Sequence, residues 1–363
     1  MIRIFTLIAS FIILLFLLTG YFEKSPPVTI IADNLPLIAS PTASPRPTPT
    51  VPPRKIIPIK NHVFQTFNNC GPASLSMLLS YFEITVSQEE LGRKLRPFQH
   101  PQGNNDDKSV TLAELAKEAE NYGLTAYHRP NGNPQILQQF IAEGIPVVIR
   151  TWLKEGEDIG HYRLIRGYDL STRVFIQDDS LQNKNLSFSF TDLVKIWEPF
   201  NYEFLVLLPG SKVEIAEAIL GENLDETTAW DNARQQLEVN RETSDIYRLF
   251  NLSVANYHLG RFKESVNYFE QVENMLPWRM LWYQIEPIEA YFQLNDYSKV
   301  FSLTDKVLNN YNRAFSELYY LRGQIYRKQQ NLEAAGEEFE KAVYYNVNFT
   351  PTREAILNIQ GKN

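Results

Sequence analysis

Hydrophobic and polar positions change their period several times along the chain. Residues 4–22, Ile4 through Phe22, are almost wholly apolar and uncharged, with Arg3 before them and Glu23 and Lys24 after. Such a run is long enough to cross a bilayer as a helix. Leu18-Thr19-Gly20-Tyr21 is a poor cleavage site, and no cysteine stands there for lipid attachment. Residues 1–23 are therefore expected to be an uncleaved signal anchor on a cell membrane, with the bulk extracytoplasmic; cleavage would make the protein secreted. Residues 24–58 follow as a predicted linker, reading PTASPRPTPTVPP between Pro41 and Pro53. Proline- and threonine-rich sequence of this kind cannot bury a core and stays extended.

From 59 to 210 the pattern is globular, first with helical and then with strand period. Leu75, Leu78, Leu79 and Phe82 recur at i, i+3, i+4 and i+7, predicting a helix from Cys70 with one buried face. Capping boxes at Ser87-Gln88-Glu89-Glu90 and Thr111-Leu112-Ala113-Glu114 open two more helices, and Asn133-Pro134 opens a fourth that closes at Gly144. Short branched and aromatic runs then predict strands at Ile145–Leu153, Tyr162–Tyr168, Val174–Gln177 and Phe204–Leu208. Helices followed by strands imply an α+β domain with a mostly antiparallel sheet. Residues 96–108 read as a polar loop.

Residues 213–363 are helical and repetitive. Three segments align at a period of 35, set by Gly260, Asn295 and Gln330 in the turns between paired helices. Ser265, Val300 and Ala335 follow five residues later, then Phe269, Thr304 and Phe339, then Val272, Val307 and Ala342. Small residues let paired helices approach and large ones fill the space between pairs. The pattern resembles the tetratricopeptide repeat, most fully in the last copy with Gly323, Tyr326, Ala335, Phe339 and Ala342. Trp230 to Leu237 reads as part of an incomplete leading pair. The resemblance implies an all-α solenoid that binds a protein or peptide partner.

The net charge of −7 and the lack of a basic stripe argue against nucleic-acid binding. Scattered histidines with no cysteine pair argue against a metal site, and nothing calls for a cofactor. Cys70 is the one cysteine in 363 residues and starts a helix, where the dipole and free amides favour thiolate. A nucleophilic thiol needs a base and a group to orient that base. Among His62, His100, His128, His161 and His258, His161 has the best setting, at the start of a strand after a polar turn. If that strand and the next form a hairpin, Asp178 lies across from His161 and could fix its tautomer. Asp179 is the adjacent alternative. Gln65, five positions before Cys70, could donate to an oxyanion beside the Cys70 amide.

Gln65…Asn69-Cys70-Gly71-Pro72-Ala73-Ser74, Gly160-His161-Tyr162…Gly167-Tyr168-Asp169 and Val174-Phe175-Ile176-Gln177-Asp178 together resemble the bacteriocin-processing, double-glycine type of papain-like cysteine peptidase. The resemblance spans roughly residues 58–208. It implies Cys70 as nucleophile, His161 as general base, Asp178 as orienting acid and Gln65 as oxyanion donor. Two positions depart from the family pattern: Asn69 stands where an acid is frequent, and Asp179 where a proline is common. With no transporter region in the chain, the double-glycine exporter role is not implied. The sequence thus predicts a membrane-anchored, extracytoplasmic peptidase acting on peptide or amide bonds. A thiol acyltransferase with the same groups, or an inactive peptidase-like binding protein, are the alternatives.

Overall fold

The computed structural model describes residues 51–98, 108–239 and 245–360. The predicted anchor and most of the predicted linker lie outside the described residues. Among those described, no helix is long and apolar enough to cross a membrane.

The helix starts are where the polar caps stand. Helix α1 spans Cys70–Tyr81, α2 Gln88–Leu95, α3 Leu112–Glu120 and α4 Pro134–Ala142. The side chains of Ser87, Thr111 and Asn133 each accept an amide of the first turn, and Thr111 with Glu114 completes a capping box. Helix α1 departs from the expected single buried face, since every residue from Cys70 to Ser80 is buried. Two of its serines are satisfied locally, Ser76 Oγ donating to the Val86 carbonyl and Ser80 Oγ to that of Met77, both at 2.6 Å, whereas the buried Ser74 hydroxyl has no such partner among the described residues.

The sheet runs in the order β2-β7-β3-β4-β5-β6 and every pairing is antiparallel. Its strands are β1 Arg54–Ile56, β2 Thr125–Arg129, β3 Val147–Trp152, β4 Gly160–Asp169, β5 Val174–Asp178, β6 Leu186–Ser189 and β7 Phe204–Leu208. Strand β1 comes from the end of the predicted linker and pairs with Gly167–Asp169, so this part of the stretch belongs to the sheet. Alternation along β3 sends Val148 toward α1, α2 and α3, in a core with Leu78, Leu91 and Leu115. Val147 and Ile149 face the other way, into a core with α4, α5 (Phe190–Trp197) and the C-terminal helices.

Those helices are α6 Val213–Leu220, α7 Glu226–Val239, α8 Asp245–His258, α9 Phe262–Val272, α10 Met280–Tyr283, α11 Glu286–Gln293, α12 Tyr297–Leu308, α13 Ser316–Lys328, α14 Leu332–Tyr345 and α15 Thr350–Gln360. Helices α8–α9, α11–α12 and α13–α14 form the three predicted pairs. Gly260, Asn295 and Gln330 all adopt left-handed backbone in the turns between them, with φ of 70°, 61° and 62°. Within the last pair a Cβ on Gly323 would stand 2.5 Å from the Phe339 ring, so the glycine sets how closely the two helices pack.

The helical region is bonded to the sheet domain on several elements. Trp152 Nε1 donates to Tyr247 Oη at 3.0 Å, Asn251 Nδ2 to the Glu198 carbonyl at 2.7 Å, and Arg150 Nη2 to the Tyr283 carbonyl at 2.5 Å. Arg279 pairs with Asp158 at 2.6 Å. Farther along, buried Lys108 bridges Glu114 and Glu317, Phe98 lies edge-on to Tyr345 at 5.0 Å, and Asn348 Nδ2 donates to the Arg93 and Lys94 carbonyls at 3.0 Å.

Candidate active site

Cys70 opens α1 with its capping residue diverted. The Asn69 side chain makes no bond to the first turn; its Oδ1 accepts from Arg96 at 2.8 Å and its Nδ2 donates to Thr66 Oγ1 at 2.9 Å. The first-turn amide of Gly71 is left to the Cys70 thiol, joined by the amide of Tyr162. Burial pushes the thiol up, but the His161 hydrogen bond and charge, with those two amides, bring it below its ordinary value. Arg96, held down to about 10 by burial, adds a favourable charge interaction with Cys70.

His161 stands at the second position of β4, opposite Thr151 of β3, and its Nε2 lies 3.0 Å from Asp179 Oδ1. The approach is bent away from a straight hydrogen bond, so charge attraction carries much of the contact. Burial disfavours the imidazolium, yet Asp179 and Cys70 outweigh it and raise the ring above its usual value. The thiol lowered and the imidazole raised are each shifted in the direction that favours charge on both groups.

The carboxylate beside His161 is that of Asp179, which corrects the expected contact of His161 with Asp178. In the sheet Asp178 is opposite Leu164, not His161, because the pairing that starts at Asp169 with Val174 and shifts by one at the bulge between Ile165 and Gly167 uses up β5 before it reaches His161. Continuing that register brings Asp179 opposite Arg163, with His161 two residues away on the same face. Asp178 instead binds Arg166 Nε at 2.9 Å and accepts the Asn185 amide at 2.8 Å. Asp179 receives Arg163 Nη1 on Oδ2 at 2.8 Å, and the amides of Leu181 and Gln182 on Oδ1 at 2.8 and 2.9 Å. Burial alone would raise this carboxyl; His161, Arg163 and the amides lower it to about 2.

Gln65 is tied to the same corner. Its amide donates to the Ser180 carbonyl at 2.8 Å and its Oε1 accepts from Ser180 Oγ at 2.8 Å. With the carbonyl end engaged by Ser180, the NH2 is the end of the side chain left to donate. Two residues that sequence reasoning passed over join the cluster. Arg163 is fully buried and also donates from Nε to Thr151 Oγ1 and from Nη2 to the Leu153 carbonyl. His62 Nε2 is 3.0 Å from the Asp179 carbonyl oxygen. The signal for Arg163 was in the strand period, since it follows His161 by two. His128 lies apart from this cluster, 2.5 Å from Glu203. Among the described residues, no group of three or more histidine, cysteine or acidic side chains is placed to hold a metal ion.

Residues 55–204 match the Peptidase_C39 like family, and residues 316–347 match the tetratricopeptide repeat. Solved structures similar to this chain include a C39-like peptidase from Bacillus anthracis, at 17% identity over 43% of this chain and 97% of that one, with a TM-score of 0.34. Another is a double glycine motif protease from an AMS/PCAT transporter in complex with its leader peptide, at 18% identity over 42% and 92%, with a TM-score of 0.30. A third is the peptidase domain of ComA from Streptococcus, a bifunctional ABC transporter of a quorum sensing pathway, at 18% identity over 43% and 98%, with a TM-score of 0.31. None of the curated proteins compared matches this chain.

Proposed function

We propose that the domain matched by the C39-like peptidase family is a papain-like cysteine peptidase that hydrolyses peptide or amide bonds, held at a membrane by the apolar run 4–22. The observation that carries the proposal is the line of contacts from Cys70 through His161 to Asp179. The Cys70 thiolate attacks the substrate carbonyl carbon, and the oxyanion is taken by Gln65 and the Cys70 amide. His161 passes its proton to the leaving amine as the C–N bond breaks. It then accepts a proton from the water that attacks the thioester, releasing the acid and restoring the thiol proton to the pair. Asp179, fixed by Arg163, keeps the ring oriented throughout.

The test is the pH dependence of iodoacetamide labelling at Cys70 in the wild type, His161→Ala and His128→Ala. A reactive phase below pH 7, lost in His161→Ala and kept in His128→Ala, is the expected result. A single titration near the ordinary thiol value of about 8.5 in all three overturns the assignment. A non-catalytic peptide-binding protein is the second reading, and it is favoured by closure of the pair: Cys70 is 5% exposed and His161 2%. Labelling that proceeds only in denaturant would select that reading.

A further inference from the structure

A cavity of about 870 Å³ lies between the sheet domain and the repeats, walled by α3, β2 and β3 on one side and α8, α10, α11 and the α14–α15 turn on the other. Its volume is in the range of ligand sites, about 300–1,000 Å³. Cys70 and His161 are not in its wall, but their chain neighbours Gly71 and Gly160 pack on residues in or next to it. Ser109 and Thr111 line it, and Val110 between them lies 3.6 Å from where a Cβ on Gly71 would stand. Tyr283 lines it as well and packs on Gly160, the neighbour of His161.

Seven glutamates line the space against four lysine or arginine side chains and the histidines His128 and His258; Lys94, Lys108 and the two histidines pair with five of the glutamates, and Glu289 and Glu354 are outside those pairs. The polar atoms of the wall are incompletely matched among the described residues. Gln284, 3% exposed, has an unpartnered Oε1, and Oε2 of Glu286 and Oε2 of Glu317 are likewise without hydrogen bonds, while the Oε1 atoms of these two face His258 and Lys108. Against these three acceptors, one lining donor lacks a partner, Arg150 Nε, in a side chain 4% exposed. Buried polar groups are nearly always paired, so a lining with surplus acceptors is built for a ligand that brings donors. Glu289 points the same way. Burial and the adjacent Glu286 charge push its carboxyl up to about 7, a strain that a cation between the two would relieve. The absence of a metal-spaced cluster among the described residues favours an organic cation.

We propose that this cavity is the docking site of a basic peptide segment, whose ammonium or guanidinium groups are taken by the carboxylates of Glu286, Glu289 and Glu317. A single amine would leave most of the space empty, whereas an extended segment of several residues would fill it. The inference stands on the cavity and does not depend on Cys70 being catalytic.

The experiment uses the full chain carrying Cys70→Ala, so that cleavage does not intrude. Binding of a fluorescein-labelled octapeptide of alternating lysine and glycine is followed by anisotropy, with a glutamate–glycine octapeptide and spermidine as comparators. The lysine peptide is expected to bind, more weakly as salt rises. Binding should fall about tenfold or more in Glu286→Gln and in Glu289→Gln, the loss of a charge-assisted hydrogen bond. Unaltered affinity in both folded variants overturns the proposal, as does equal binding of the glutamate peptide. Spermidine binding as tight as the peptide's would overturn the assignment to a peptide. If either variant melts early, salt-insensitive binding by the parent chain serves as the refuting result.

Discussion

Asp179→Asn separates charge from shape at the candidate site. Asparagine keeps an oxygen for the Leu181 and Gln182 amides, so the turn after β5 can persist while the negative charge between His161 and Arg163 is lost. Its carboxyl is lowered to about 2 in the fold, against about 3.9 in an unfolded chain, a difference on the order of 2–3 kcal/mol at neutral pH. The folded value is the lower one, so this stability is complete above about pH 4 and drains as pH falls toward 2. At pH 3 it is roughly halved. Arg163, with no exposure, is then left as a buried cation without its partner, which raises the expected loss to about 3–5 kcal/mol. Urea denaturation of wild type and variant at pH 7 and pH 3 reads the gap, which should narrow in acid. Iodoacetamide labelling at pH 6 reads the site: return of the thiol to about 8.5 would leave a thiolate fraction of roughly 1 in 300. Asp178→Asn, which loses only the Arg166 pairing, should keep the low-pH phase. The reasoning is refuted if both variants lose that phase equally, or if the urea gap is the same at both pH values.

Two glycines of the last repeat give opposite expectations. Gly323→Ala drives a methyl into the buried Phe339 ring and should cost about 1–2 kcal/mol after the helix-propensity gain, whereas Gly336→Ala meets nothing within 4 Å and should gain up to about 1 kcal/mol. Thermal melts that move the same way for both would contradict the packing described. For the proposed anchor, the full chain should stay in the membrane fraction through a carbonate wash, and its release would remove residues 4–22 as an integral segment.

Local signals in the sequence were the legible ones. Ser87, Thr111 and Asn133 cap helices because their short side chains reach the orphan amides of the next turn, and that is written in four residues. The repeat turns were legible for the same reason, as one left-handed residue at a fixed period. Strands β1, β2 and β6 were not, since Thr125–Arg129 and its like are partly exposed and lack a strong apolar alternation. At the candidate site, spacing located the right hairpin but not its register, and one residue of difference exchanged Asp178 for Asp179. The pairing of Asp169 with Val174 and the bulge between Ile165 and Gly167 decide that register. Arg163 could have been anticipated from its period-2 relation to His161. The cavity could not, because its two walls are far apart in the chain and meet only through tertiary packing.

A solenoid fastened at one end is a spring, since each repeat touches only its neighbours and small rotations add along the stack. This one is fastened at both. Tyr247, Asn251 and Tyr283 hold its beginning to the sheet domain, and Glu317, Tyr345 and Asn348 hold its far end to Lys108, Phe98 and the end of α2. It therefore behaves as an arch with two footings. Its span is set by the domain it stands on, so whatever passes beneath must fit an opening of fixed width.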